Sequence, residues 1–434
     1  MKTLIAHRFK VIIKTVSQAI RGGRLGGWRI IFRKGRSLAK RVLLFPSMVA
    51  AAPLVLLIVL VRPLVLLRFG AMVSDRIGHF LIDVEAYVCA RDRKKPSRRT
   101  VDIIGCPDPV CNIQLKAMWE RTLRITPGGR LWEYVAAACQ FWTRGESHRI
   151  QFYGRRSDYK LFSNTEAHLR FTDEEVRRGH ELLRQLGIPS GASWLCIHNR
   201  DAVYLDKRFR RGSTYHNYRN FSARSMVEAA DELARRGYYV VRMGSVVAEE
   251  LISTNAKVID YASGAMRSDF ADIYLGAGCS AYIGSDSGIQ CVPLVFRRPV
   301  CYINFSQTLI TSLLEMAVCN GFSVFISKRL WHKEKLRFLS LREMFAAGLA
   351  GADMSYLFED AGVEPVCNSS EEIRDLAIEV DERLKGRWQP QSTDVELQRR
   401  FWDVFGQCSP RVRVGETTAR IGSAFLRKHV DLLN

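Results

Sequence analysis

The 434-residue chain carries 65 Lys and Arg against 44 Asp and Glu, a formal net charge of +21, with 47% hydrophobic residues. The hydrophobic share supports a real core and excludes a largely disordered chain, and the length leaves room for two or three domains. The charge points to an anionic partner: a nucleic acid, an acidic membrane face or a phosphorylated substrate.

Residues Met1 to Arg41 contain no Asp or Glu. Ile5, Phe9, Ile12, Ile13, Val16 and Ile20 recur at helical spacing, with Arg8, Lys10, Lys14 and Arg21 between them. That is a basic amphipathic helix suited to an anionic membrane surface. Trp28 to Phe32 repeats the theme. A nucleic-acid-binding arm would share the charge but not the wide apolar stripe, so no nucleic-acid partner is expected. Val42 to Val61 is free of charge, close to the about 20 residues that span a bilayer. Pro46 and Pro53 interrupt it and Arg62 closes it. Two topologies fit: a re-entrant or monotopic hairpin broken at Pro53, or a single span. Arg62, Arg68 and Arg76 beyond the segment favour the hairpin, because a span would carry them across. Residues 1–63 are therefore expected to be the membrane-associated part.

An α/β pattern follows. Leu64 to Arg68 reads as a strand, then Asp75, Arg76, Gly78 and His79 lead into an apolar helix from Phe80 to Cys89, which contains Glu85. Val101 to Gly105 and Arg149 to Phe152 read as further strands, and Asn112 to Leu123 as a helix. Asp173 to Leu186 is a helix with Thr172 as its N-cap, stopped by Gly187 and Pro189. These make a first α/β domain over residues 64–188. A second, over residues 189–365, opens at the buried strand Trp194 to Ile197 and runs into His198, Asn199, Arg200 and Asp201. Ser222 to Arg236 is an amphipathic helix, Tyr238 to Met243 and Lys257 to Asp260 are strands, and a helix lies around Asp269 to Gly276. Strands alternating with helices at this spacing mean a parallel, doubly wound sheet. Phe322 to Ile326 is another strand, and a helix opens at Ser340. Residues 366–434 read as C-terminal helices packing back across the domains: Ser369 to Leu384 with a Ser-x-x-Glu capping box, Glu396 to Phe405, and Ala419 to Leu433.

The eleven cysteines form no C-x-x-C pair. Cys196, Cys291 and Cys301 sit in apolar runs and read as buried thiols of a reducing compartment, so a zinc site is not expected.

The stretch from Ala281 to Phe305 organises the chemistry. A short strand, the turn Gly284-Ser285-Asp286-Ser287-Gly288, a short helix and a second strand follow one another. The glycines free the backbone to turn, and the serines are N-cap types that present N–H groups and hydroxyls beyond the strand's carboxyl end. In open α/β sheets that crevice binds ligands. His198 and Arg200 leave another strand at its carboxyl end, where Arg suits a diphosphate and His adds a donor. Asp201 is a candidate general base. Tyr218, Arg219 and Asn220 offer a ring to stack on a base and a further cation. Arg242 and Gly244 end the next strand, and Asp260 and Tyr261 the one after. No Asp-x-Asp pair exists, so cations and helix N-termini, not a metal, are expected to neutralise a diphosphate. No G-x-G-x-x-G follows a strand, which argues against a dinucleotide oxidoreductase. The Gly284 to Gly288 turn also has the form of a nucleophile elbow, with Asp286 as nucleophile and His332 or His429 as partner. That α/β-hydrolase alternative leaves the His198 to Asp201 loop and the net charge unused.

Blocks in order along the chain resemble the glycosyltransferases of bacterial surface-carbohydrate clusters: Cys196 to Leu205, His216 to Asn220, Tyr238 to Gly244, Ile259 to Ala262, Arg267 to Phe270, Asp272 to Leu275 and Arg297 to Pro299. The resemblance covers roughly residues 65 to 430. The His198-Asn199-Arg200 turn is similar to the His-x-Arg element of GDP-fucose-dependent fucosyltransferases, and heptosyltransferase-like enzymes are distantly similar. The resemblance implies an α/β GT-B-like architecture of two Rossmann-like doubly wound domains, with a nucleotide sugar bound in the second and no metal. By that analogy His198 and Arg200 contact the donor phosphates, and Ser285, Asp286, Ser287 and Gly288 hold phosphate or ribose. Asp75, Arg76, Gly78 and His79 then lie on the acceptor side, and one of Asp75, His79, Glu85 or Asp201 deprotonates the acceptor hydroxyl.

The expected protein is thus a membrane-associated glycosyltransferase acting from the cytoplasmic face of a bacterial inner membrane. Its expected partners are a nucleotide-sugar donor, a polyprenyl-phosphate-linked or other glycan acceptor and an anionic membrane surface. The first alternative is an inactive GT-B-like scaffold or glycan-binding protein.

Overall fold

The computed structural model describes residues 46, 48–93, 99–143, 147–152, 161–203, 214–306, 322–409 and 419–434. All of the expected amphipathic helix and part of the expected membrane segment, residues 1–45 and 47, lie outside them. The chain divides into two units, one of Met1–Gly70, Arg98–Asp102 and Leu131–Ile150, the other of Ala71–Ser97, Ile103–Arg130 and Gln151–Asn434. The expected boundary between residues 188 and 189 falls inside the second unit.

The first elements in chain order are α1 (Ala52–Val61), β1 (Leu66–Ala71), α2 (Ile77–Arg93), β2 (Thr100–Gly105), α3 (Ile113–Thr122), α4 (Leu131–Thr143) and α5 (Asp173–Gln185). Residues 48–50 are helical, Ala51 is a turn, and α1 starts with Pro53 in its first turn. There the missing N–H leaves no hydrogen bond unmade, so the proline starts this helix after breaking the one before. Ten residues at 1.5 Å each give about 15 Å, half the hydrocarbon thickness of a bilayer. Among the described residues no helix is long and apolar enough to cross a membrane. α1 buries Val55 and Ile58 and packs on α4.

β1 and β2 form a two-stranded sheet. Arg68 forks onto Asp102 at 2.6 and 2.7 Å, and the strand expected at Arg149 to Phe152 is reduced to a bridge between Phe69 and Arg149. A second bridge joins Ile104 to Ile125. A doubly wound sheet was expected over residues 64–188, and among the described residues there it is this much shorter pairing. The reason is coverage. Only Phe69 and Gly70 of β1 and Ile104 and Gly105 of β2 are buried, whereas long parallel strands need both faces packed. Thr172 caps α5 with the full capping box to Glu175.

The second unit holds the large sheet. β3 (Trp194–His198), α6 (Val227–Arg235), β4 (Tyr239–Arg242), β5 (Val258–Ile259), α7 (Asp269–Gly278), β6 (Tyr282–Gly284), α8 (Cys291–Val295), β7 (Val300–Ser306) and β8 (Ser323–His332) alternate as expected. In space the strands run β5-β4-β3-β6-β7-β8, every neighbouring pair parallel. Counted from β3 this is the order 3-2-1-4-5-6 of a doubly wound dinucleotide-binding sheet, with its switch point between β3 and β6. β9 (Arg337–Phe338) and β10 (Val363–Val366) add to β8 antiparallel, and β11 (Ala419–Ile421) adds parallel. Helices α9 (Leu341–Ala346), α10 (Ser355–Asp360), α11 (Ser370–Leu384), α12 (Ser392–Cys408) and α13 (Ser423–Lys428) complete the unit.

Residues 419–433 were expected as one helix but begin as the strand β11. Gly422 is the cause of the change: a Cβ there would lie 2.8 Å from Ile326 Cγ2, so the chain runs hard against β8 before α13 starts. Tyr282, Tyr302, Phe305, Phe325 and Phe401 are fully buried and form the centre of the core.

Candidate functional site

At the switch point His198 pairs with Gly284, and the Ser285 N–H donates to His198 O at 3.1 Å. A Cβ on Gly284 would stand 2.6 Å from His198 O, so only glycine lets the two strand ends approach this closely. Beyond these ends lie Arg200 from β3, the Asp286 turn from β6, Arg219 and Asn220 from the 3-10 turn Thr214–Arg219, and Lys328 from β8.

The cations converge. Arg200 Nη1 donates to His216 O at 3.0 Å and to Asn220 Oδ1. Lys328 Nζ donates to Asn220 O at 2.7 Å. Arg219 Nη1 reaches Asp286 O at 3.3 Å and Oδ2 at 3.5 Å. Arg200 and Lys328 are 8% and 3% exposed. Burial, then the like charge of Arg219, pulls Arg200 down to about 10, which leaves it a cation at neutral pH. Burial, then Arg219 and Arg200, holds His216 down at about 4. Lys328 is lowered by burial. Beside burial, Arg200 and His216 thus both register the positive charge of Arg219, which Asp286 offsets in part, an arrangement suited to an anion. Around the same turn Ser285 Oγ, Arg219 Nε and Gln290 Oε1 are buried with no hydrogen-bond partner among the described residues. Asp286 is held by Gln290 Nε2 at 3.1 Å.

His198 is neutral. Its Nδ1 faces Met243 O at 2.8 Å, and burial, outweighing that bond, lowers it to about 4. Nδ1 must therefore carry the proton, and Nε2 is a bare acceptor instead of the phosphate donor expected from sequence.

The start of α2 meets the turn. A Cβ on Gly78 would lie 3.2 Å from Gly288 Cα, and one on Gly288 would lie 3.0 Å from Ile77 Cγ2 and 3.2 Å from Gly78 N. Asp75, Arg76 and His79 flank that contact. His79 Nδ1 pairs with Asp83 Oδ2 at 2.9 Å.

Other candidates face inward. Arg242 is fully buried: its Nε and Nη2 donate to Asn199 Oδ1 at 3.1 and 2.9 Å, and its Nη1 to Glu249 O at 2.8 Å and Asp260 Oδ2 at 3.2 Å. Asp260 also accepts from Leu251 N–H and from Ser263. Tyr261 donates to Asp272 Oδ1 at 2.8 Å, and burial raises its hydroxyl far above the usual range. Gly244 is a packing position, its added Cβ 3.0 Å from Ala262 and Val247. Tyr218 is buried against Phe358, ring centroids 5.2 Å apart, so its face is taken. Asp201 accepts from Val203 N–H at 3.0 Å and Ala248 N–H at 2.9 Å, which commits both oxygens to the loop.

Glu85 is fully buried, with Arg297 Nη2 at 2.6 Å and His168 Nδ1 at 3.0 Å from its Oε1. Cys89 and Glu85 raise His168 to about 10. Glu85, Cys89 and His168 offer metal-ligand atoms within 4.8 Å of one another. The Arg297 guanidinium already lies on Glu85 and 3.8 Å from Cys89 Sγ, so it supplies the cation there. Neither histidine of the hydrolase reading bonds to Asp286: His429 is held by Arg329 and by Glu372 at 2.6 Å, and His332 accepts from Lys335 N–H at 3.4 Å.

Lys328, Asn199 and His216 were not singled out from the sequence. Lys328 follows the apolar strand core of β8, and that position is the one signal pointing to it.

No protein-family model matches the chain, and no curated protein matches it. Among solved structures the chain is similar to a family 9 glycosyl transferase from Veillonella parvula (11% identity, 55% of this chain, 80% of that one, TM-score 0.37). It is also similar to E. coli ADP-heptose LPS heptosyltransferase II (13% identity, 54% and 84%, TM-score 0.32). A third is the wall teichoic acid polymerase TagF (12% identity, 68% and 71%, TM-score 0.26).

Proposed function

We propose that the chain is a GT-B-type glycosyltransferase that transfers a sugar from a nucleotide-sugar donor to a surface-glycan acceptor without a metal. The observation that carries this reading is the convergence of Arg200, Arg219 and Lys328 at the sheet's switch point. In the transfer the bond from the sugar's C1 to the phosphate oxygen breaks as the acceptor oxygen bonds to C1. The negative charge that develops on the departing nucleoside diphosphate falls among these cations, where preorganised donors stabilise it most. Ser285 Oγ and Arg219 Nε gain partners from the same diphosphate, and neutral His198 accepts from a donor hydroxyl. The acceptor's proton goes to a base at the start of α2, Asp75 or His79. Glu85 and Asp201 are already committed to Arg297 and to backbone N–H groups.

The acceptor is a glycan carried on a polyprenyl phosphate, and residues 1–63 seat the enzyme on the anionic cytoplasmic face of a bacterial inner membrane. The run without Asp or Glu from Met1 to Ser74 supports this, as do the leucines α1 leaves in the open, Leu56, Leu57 and Leu60 at 59, 61 and 63% exposure.

The test is release of nucleoside diphosphate from a panel of sugar nucleotides by the full-length protein, with EDTA present. Release that drops at least tenfold in Arg219→Ala supports the reading. A folded protein that neither binds nor turns over any of the panel would be a scaffold instead.

A further inference from the structure

The first unit carries an apolar surface that its sequence did not announce. On α4, a segment to which no element was assigned from the sequence, Leu131, Tyr134, Phe141 and Trp142 are 53, 52, 49 and 45% exposed. At 100° per residue these four fall within an arc of about 100°, which also holds the small buried Ala138, while the buried Val135, Cys139 and Ala136 follow beyond its edge. α1 packs beside it and exposes Leu54, Leu56, Leu57 and Leu60. The indole N–H of Trp142 donates to Met48 O at 2.8 Å, which ties α4 to the chain just ahead of α1. Large apolar side chains exposed together on two packed helices mark an interaction surface.

We infer that α4 is a second membrane-contacting element, and that α1 and α4 together seat the protein in the headgroup and acyl boundary of an anionic bilayer leaflet. This deepens the membrane part of the proposed function and rests on it. Charge and side-chain type identify the occupant as lipid. Residues 1–41 hold twelve Lys and Arg, and no carboxylate occurs before Asp75, so the polypeptide leading into the patch complements anionic headgroups. Trp and Tyr are the residues that settle at that depth, ring in the apolar layer and polar atom at its edge. α1 is too short to span, so a helix pair lying along the surface buries these side chains where a single crossing would not.

The experiment uses the full-length protein reconstituted with vesicles of phosphatidylcholine and phosphatidylglycerol, with and without brominated acyl chains. Bromine quenches indoles at the acyl boundary. The expected result is quenching in the wild type that is reduced in Trp142→Phe and in Tyr134→Glu, with both variants unfolding at the wild-type temperature. Vesicle association with identical quenching in wild type and Trp142→Phe puts Trp142 in water and overturns this inference alone. No association at all overturns the membrane reading with it. A chain that self-associates through Trp142 without vesicles assigns the patch to a second copy. Release of nucleoside diphosphate in detergent reports separately on glycosyl transfer.

Discussion

Arg200, from the end of β3, and Lys328, from β8, are held on one residue: Asn220 accepts the first through Oδ1 and the second through its carbonyl oxygen. Two buried cations gathered on one uncharged residue favour a site that an anion completes. Lys328→Met keeps the side chain's length and removes its charge. Folding stability is expected to change little, because burial already disfavours this charge and methionine keeps the apolar packing. Nucleoside diphosphate affinity is expected to fall at least about tenfold, the loss of one charged hydrogen bond. Chemical denaturation and titration calorimetry on the same preparation check both halves.

His198 gives a pH dependence of definite sign. Burial holds its folded pKa at about 4 against the ordinary 6.5 of an imidazole, so between those values the unfolded chain takes up a proton that the folded chain refuses. The contribution is complete above about pH 6.5 and is lost as pH falls toward 4. It amounts to about 3 kcal/mol at most. The stability gap between wild type and His198→Gln should narrow over that window, measured by urea unfolding at each pH.

Gly288 meets the start of α2 with no room for a side chain. Gly288→Ala would place its methyl 3.0 Å from Ile77 Cγ2 and 3.2 Å from Gly78 N. Pushing helix and turn apart is expected to cost about 1–3 kcal/mol and to weaken ligand binding. Thermal unfolding with and without nucleotide measures both.

Glu85 is expected to matter for stability and not for proton transfer. Arg297→Met leaves the buried Glu85 carboxylate to the protonated His168 alone, at a cost of up to about 3–5 kcal/mol. Glu85→Leu in that background should recover part of the loss. Turnover per folded molecule of Glu85→Gln should stay close to wild type, whereas Asp75→Asn or His79→Gln should lower it.

The second unit was legible because its punctuation is local. Gly284, Ser285, Ser287 and Gly288 mark a turn by residue type, and the alternation from Trp194 to Phe305 fixes a parallel sheet. Which way a strand-end side chain points is not local. Arg242 and Tyr261 end strands as a ligand-binding residue would, but their partners, Asn199 and Asp272, come from elsewhere in the chain and draw them inward. Lys328 was hidden for the same reason, since its partner Asn220 is distant in sequence. The first unit was read less well because β1 and β2 lack the two-sided burial that extends parallel strands.

Nucleotide binding at the switch point is read by thermal unfolding of the full-length protein with UDP, GDP, ADP, CMP and dTDP, each with and without EDTA. A ligand that binds only the folded state raises the midpoint. A nucleotide of the panel is expected to raise it, the rise to survive EDTA, and the rise to shrink in Arg200→Ala and Lys328→Met. A folded protein whose midpoint no nucleotide moves, or moves equally in both variants, would contradict binding at the switch point.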